Sequence, residues 1–205
     1  MNTPITLNLR KNNRGLIVGK TGSGKTTLAR FLLHSFPRVA ILDNKGLIFW
    51  PEYYRVTKRS ELVEAMHRYA KVVYVPSIYG DSEENDYFFD LIYAMGNCAV
   101  YVDEVYSCCN RDELPPSYKA IITRGRERGI SCLSATQRPK LIPQILFSES
   151  EQFYIFELRL EVDRAKIAST VDIAEEEIPK KKHVFYYSDI DKDVTIGPLK
   201  LSIQE

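Results

Sequence analysis

Long hydrophobic runs are missing from this chain of 205 residues. No stretch approaches the roughly 18 consecutive apolar residues that a membrane-spanning helix needs. The opening MNTPITLNLRKNNR also lacks the continuous apolar centre of a secretion signal. Cysteine is sparse. The four thiols, Cys98, Cys108, Cys109 and Cys132, form no CxxC pair, and an adjacent Cys108-Cys109 is poor disulfide geometry, so reduced intracellular thiols are expected. The three histidines, His34, His67 and His183, are far apart and show no metal-ligand spacing. Net charge is nearly absent at +1, which gives no global sign of a nucleic-acid partner. No repeat, low-complexity tract or flexible linker divides the chain, and 44% apolar with 27% charged residues suits one globular domain with a proper core.

What charge there is has been sorted along the chain. Arg124, Arg126, Arg128, Arg138 and Lys140 fall close together in sequence, with Glu127 the one acid among them. Residues 81–90 and 149–163 are acid-rich, and Glu175-Glu176-Glu177 precedes Lys180-Lys181-Lys182. Such runs are expected to be solvated faces.

Gly19 to Thr26 reads GKTGSGKT, a complete phosphate-binding loop pattern. It follows a short apolar run, Gly15-Leu16-Ile17-Val18, and precedes a helical spacing of Leu28, Phe31, Leu32 and Phe36 that Pro37 ends. The glycines let consecutive backbone N–H groups turn toward a polyphosphate, and the helix N-terminus adds its positive dipole end. The nucleotide-binding stretch is therefore Gly19, Lys20, Thr21, Gly22, Ser23, Gly24, Lys25, Thr26 and Thr27. Lys25 is expected at the β- and γ-phosphates, and the Thr26 hydroxyl on Mg²⁺.

A second apolar run, residues 98–102, ends in Asp103-Glu104. Asp103 suits the metal's water shell, and Glu104 is placed to orient and deprotonate an attacking water. A third, residues 130–135, leads into Thr136-Gln137-Arg138-Pro139, where Gln137 reaches the γ-phosphate or the lytic water if its strand flanks that of the phosphate loop. Upstream, TRGRERG sets three arginines on a glycine-punctuated turn. They suit a phosphoryl clamp reaching across from a neighbouring subunit, or contact with a DNA backbone.

Apolar runs at 5–9, 15–18, 39–42, 72–75, 98–102, 130–135, 153–158 and 183–187 read as strands. Helices are expected at 60–69, 87–95, 116–124 and 162–170. Their alternation predicts an α/β fold with a mainly parallel sheet covered by helices, and an antiparallel extension near the C-terminus formed with residues 194–196. The aromatic segment Phe49 to Arg55 suits burial against a neighbouring element or subunit better than stacking on bases or an adenine ring. The loop from Tyr106 to Pro116 lies beside the expected γ-phosphate position, and either moves with hydrolysis state and touches DNA through Arg111 or merely connects.

GKTGSGKT, the strand end AVYVDE and the segment TRGRERGISCLSATQRP together resemble the FtsK–HerA superfamily of ring-forming, DNA-pumping ATPases. Val39 to Gly46 is similar to that family's second core strand, which often ends in Asp-x-Lys-Gly. The four matches run in order from Gly15 to Pro139. They imply a RecA-like P-loop core over about 13–148, with a C-terminal extension over about 149–205 that carries no such motif. The compact size resembles the genome-packaging branch found in membrane-containing double-stranded DNA viruses. That branch implies ATP and Mg²⁺ as ligands, a homo-oligomeric ring (pentamer or hexamer), double-stranded DNA, and capsid or membrane vertex proteins as partners. It places the chain in the host cytoplasm or at the packaging vertex. Carried over by position, Lys25 and Thr26 bind phosphate and metal, Asp103 the metal and Glu104 the water, while Gln137 senses the γ-phosphate. Arg126 matches the family's arginine best, with Arg124 and Arg128 as rivals. A P-loop nucleoside or small-molecule kinase and an ATP-binding phage assembly or secretion factor remain the competing readings.

Overall fold

The computed structural model describes residues 7–201. In chain order the regular elements are β1 (Arg14–Val18), α1 (Lys25–Leu33), β2 (Val39–Asp43), β3 (Tyr54–Val56), α2 (Arg59–Arg68), β4 (Lys71–Tyr74), α3 (Ser82–Met95) and β5 (Ala99–Asp103). They continue with α4 (Pro116–Arg124), β6 (Ser131–Thr136), α5 (Ile145–Ser148), β7 (Gln152–Phe156), α6 (Glu161–Val171), β8 (Val184–Asp189) and β9 (Val194–Lys200). The strands form one nine-stranded sheet in the order β3-β4-β2-β5-β6-β1-β7-β8-β9. From β3 to β7 the pairing is parallel, and β8 and β9 join antiparallel.

The central strands β1, β2, β5, β6 and β7 are buried along their full length, which is why they read as unbroken apolar runs rather than alternating ones. Within each strand successive side chains still go to opposite faces. Leu16, Val18, Leu42, Val100 and Ile155 enter a core with α2, α3, α4 and α6. Ile17, Ile41, Tyr101, Leu133 and Tyr154 enter a second core closed by Leu28, Ala29 and Leu32 of α1. Burying both faces of a sheet against helices is the stable solution for this element pattern.

Some expectations shift. α3 begins at Ser82, because the Asp81 carboxylate caps it by accepting from the Glu84 N–H at 2.9 Å. α1 ends at Leu33 rather than running to Pro37. The short edge strand β3 falls inside the segment read only as an aromatic cluster. Of the strand expected at residues 5–9, positions 5 and 6 lie outside the described residues, and 7–9 are not a strand. The acid-rich stretches are not simply solvated. Glu151 and Asp163 are buried and ion-paired with arginines, since a carboxylate taken from water must find compensating donors. Glu84 accepts from Tyr74 Oη at 2.9 Å and from the Ser77 N–H at 3.1 Å.

The parallel strands all point one way, so the residues that follow β1, β2, β5, β6 and β7 share one edge of the sheet. β6 lies between β5 and β1, bringing the segment after Thr136 between the phosphate loop and Asp103-Glu104.

Candidate nucleotide-binding site

The loop after β1 is hung between its neighbours. Gly19 N–H donates to Thr136 O at 3.1 Å, and Lys20 N–H donates to Glu157 O at 2.7 Å. A Cβ on Gly19 would sit 2.6 Å from the Phe156 Cβ, so only glycine allows this close approach. Gly24 has φ 112° and lies against His183 and Leu201. It opens α1 without a side-chain cap, and no acid occupies the first turn, leaving the helix N–H groups for an anion. Thr21 and Thr27 are exposed, Thr26 is half-buried, and Ser23 is buried with its hydroxyl unpartnered.

Lys25 folds back over the loop, its ammonium donating to Gly19 O at 2.7 Å and Lys20 O at 3.1 Å. Burial pushes this ammonium down to about 8, Glu104 and Asp103 pull the other way, and Lys45 adds to the lowering. A group so desolvated gains most when a phosphate arrives beside it. Lys20 is held to one side by an ion pair with Glu157 at 2.6 Å.

Asp103 ends β5, and its Oδ1 accepts from the buried Tyr101 hydroxyl at 2.7 Å. The Thr26 side chain lies near the same hydroxyl. Tyr101 is therefore bonded to one of the two residues expected at the metal and close to the other. Burial raises the Asp103 carboxyl above its ordinary value, the Tyr101 bond opposes this, and Asp43 and Glu104 raise it further. Asp43 is the neighbour of Asp103 across the sheet and is fully buried, with Oδ2 accepting from the Ile48 N–H at 2.7 Å and Oδ1 unpartnered. Of these three carboxylates Glu104 pairs with Lys45 and Asp43 lies 3.9 Å from Arg55, which leaves Asp103 without an ion pair among the described residues. Among the described residues no cage of three or more His, Cys, Asp or Glu exists, but magnesium at a triphosphate takes few protein ligands, and one carboxylate with one hydroxyl suffices. The residues present fit that ion.

Glu104 follows at φ 63° and is 2% exposed. Its Oε1 accepts from the Gln137 N–H at 2.9 Å and from Thr136 Oγ1 at 3.5 Å. Its Oε2 accepts from Lys45 Nζ at 2.9 Å and from the Gln137 side-chain amide. Gln137 Oε1 in turn accepts from Thr21 Oγ1 of the loop. Lys25, Thr26, Asp103, Glu104 and Gln137 thus converge, and Thr21 is bound directly to Gln137. Lys45, Asp43, Tyr101 and Thr136 join them without having been assigned a role from sequence. All four lay within the stretches that carry the resemblance, Asp43 and Lys45 in Asp-x-Lys-Gly, but only the sheet shows which groups they meet.

The basic cluster read from sequence does not exist in space. Arg124, Arg126 and Arg128 precede β6, whereas Arg138 and Lys140 follow it, so the six residues of β6 separate them by roughly 20 Å. Arg126, 55% exposed, pairs with Glu151 beside Arg14 at the start of β1. Arg128 donates to Tyr93 O and Ala94 O, and Arg124 lies near the Tyr93 ring. All three lie at the sheet edge opposite their own phosphate loop. Arg138 instead pairs with buried Asp163 of α6 at 3.0 Å, and Lys140 N–H donates to the same carboxylate at 2.9 Å. The C-terminal extension therefore braces the site through Glu157, Asp163 and His183, whose N–H donates to Ser23 O at 3.1 Å. Trp50 stacks near Tyr101, while Phe49 stays exposed under the Arg55 guanidinium.

No protein-family model matches the chain. It is 33% identical over 193 residues to the DNA packaging ATPase P9 of Enterobacteria phage PRD1, covering 85% of this chain and 81% of that protein. Among solved structures, the genome packaging NTPase B204 of Sulfolobus turreted icosahedral virus 2, in complex with ATP-gammaS, matches with a TM-score of 0.74. The match has 18% identity and covers 93% of this chain and 98% of that one. The pCW3 conjugation coupling protein TcpA matches at 0.60 with 15% identity, covering 87% of this chain and 58% of that one. These two structural likenesses concern the fold.

Proposed function

This chain belongs to the viral DNA-packaging ATPase family, and from that premise we propose that it hydrolyses ATP at subunit interfaces of a ring to drive double-stranded DNA into a capsid. The whole chain acts as one P-loop ATPase domain, with the segment from about 149 onward bracing the site. One observation carries the reading: Glu104, buried and gripped by Gln137, is linked through Gln137 to Thr21 of the phosphate loop, while Arg126 lies at the far edge of the same sheet. A head-to-tail ring would bring one subunit's Arg126 edge to the next subunit's phosphate loop. Lone subunits would lack that cation.

In this reading the loop N–H groups and Lys25 hold the β- and γ-phosphates. Thr26 and Asp103 would hold magnesium, which when bound neutralises charge on the phosphates. Glu104 orients a water and takes its proton, and Gln137, joined to both Glu104 and Thr21, reports whether the γ-phosphate is present. Arg126 of the adjoining subunit stabilises charge on the transferring group. The partners would be duplex DNA and proteins of the packaging vertex, met in the host cytoplasm during assembly. Among the described residues no helix is long and apolar enough to cross a membrane.

The test is ATP hydrolysis with and without duplex DNA, alongside native mass under nucleotide. Stimulation by DNA together with a ring mass is expected. Transfer of phosphate to a nucleoside with no free phosphate released would replace the reading with a kinase.

A further inference from the structure

Every acceptor position on the Glu104 carboxylate is engaged, which poses a problem for a base. Two donors hold Oε1, the Gln137 N–H and Thr136 Oγ1, and two hold Oε2, the Gln137 amide and the Lys45 ammonium. A carboxylate so saturated has no lone pair free for a water proton. One donor has to leave. Gln137 N–H is fixed in the backbone, the Gln137 amide is anchored through its Oε1 to Thr21, and Thr136 is fully buried, whereas Lys45 has four side-chain torsions and is 25% exposed.

The Lys45 backbone, in contrast, is held fast. Gly46 N–H donates to Asp43 O at 3.1 Å, and Arg55 donates to Gly46 O at 3.0 Å. Asn44 Nδ2 donates to Ser107 Oγ at 2.9 Å, and that hydroxyl donates to Glu104 O at 2.8 Å. The turn after β2 and the turn after β5 are thus latched together, so the Lys45 ammonium can move only within the reach of its own side chain. Its partner Glu104 is bound to Gln137, which accepts from Thr21 of the phosphate loop, so the ammonium lies at the loop's end of the sheet. An arriving γ-phosphate brings further negative charge toward Glu104, and two anions at such distance in a buried edge repel strongly without a cation between them.

We propose that Lys45 is a second phosphate-binding lysine that exchanges partners: paired with Glu104 before ATP arrives, it moves to the γ-phosphate, and the move frees Oε2 to accept the water proton. The water oxygen then bonds the γ-phosphorus, the bridging P–O bond breaks with its electron pair leaving on ADP, and the proton stays on Glu104. This rests on ATP occupying the loop as proposed above. ADP, having no γ-phosphate, leaves Lys45 on Glu104.

The exchange predicts a difference between nucleotides. Binding of ATPγS and of ADP, each with Mg²⁺, is measured by calorimetry for the wild-type chain, Lys45→Gln and Lys25→Ala. Lys45→Gln is expected to lose ~10-fold or more in ATPγS affinity, the worth of one charged hydrogen bond, while ADP affinity stays within about twofold. Single-turnover hydrolysis is expected to slow as well. Equal losses for both nucleotides, no loss for either, or faster hydrolysis in Lys45→Gln would overturn the partner exchange. Lys45→Met, which keeps the aliphatic stem, carries the same test should the glutamine variant not fold. Lys25→Ala separates the two claims, since unchanged binding of both nucleotides in that variant overturns the site itself.

Discussion

Gln137 grips Glu104 twice, its backbone N–H donating to Oε1 at 2.9 Å and its side-chain amide to Oε2. The carboxylate is thereby aimed by a residue that also touches Thr21 of the phosphate loop. Glu104→Gln keeps the shape and removes the base. Turnover is expected to fall about 10²- to 10⁴-fold while ATP still binds. A single-turnover assay checks this, and full activity in the variant would remove Glu104 from its role.

Lys25 makes nucleotide binding sensitive to mildly alkaline pH. Its folded value is lowered to about 8 from 10.5 in the unfolded chain, so between these values the unfolded state binds more protons and Lys25 makes stability rise with pH. Phosphate binding needs the ammonium, so affinity runs the opposite way and falls as pH passes 8. From pH 7 to pH 9 a loss of about tenfold is expected if the bound lysine stays protonated. Calorimetry in buffers of different ionisation enthalpy would show proton uptake above pH 8. Absence of both effects in wild type, or their persistence in Lys25→Met, would contradict the assignment.

Arg126 cannot reach its own phosphate loop, being at the opposite edge of β6. Arg126→Ala is expected to lower turnover on the order of 10³-fold, as for arginines supplied across subunits. Mixing inactive Arg126→Ala with inactive Lys25→Ala subunits should restore some hydrolysis, because one kind of interface then has both groups intact. No recovery in mixed assemblies would refute the trans role. Thermal stability should barely change, as Glu151 keeps Arg14 and the Arg126 head is largely in water.

Asp163 supports the site from α6. Removing its carboxylate in Asp163→Ala leaves the Arg138 guanidinium and the Lys140 N–H without their acceptor. A loss of about 2 kcal/mol is expected, together with weaker turnover from a loosened Gln137 segment. Chemical denaturation measures the first and an ATPase assay the second. A variant as stable as wild type would show that water replaces this acceptor.

Much of the site was visible as words in the chain. GKTGSGKT announces itself because its glycine spacing has few other uses, whereas the paired acids of AVYVDE gain meaning only from standing in the same chain. Gln137 was legible on the condition that its strand lies beside β1, and the sheet order meets that condition. Lys45 stood within the Asp-x-Lys-Gly resemblance, but only the sheet, which sets the turn after β2 beside Glu104, gives it a partner. Asp163 and Glu151 were misread as solvated, since the arginines that hold them lie 25 residues away or, for Arg14, 137. Arg124 and Arg138 looked like neighbours because sequence distance ignores the length of a strand.

Amino-acid order alone determined the phosphate loop, the apolar strands and the helices between them, because these depend on local conformation and on which residues avoid water. Tertiary structure decided which polar groups share a site and which face opposite edges. Those relations arise from the strand order of the parallel sheet, and strand order is set by how distant segments bury one another, a quantity no local stretch of chain contains.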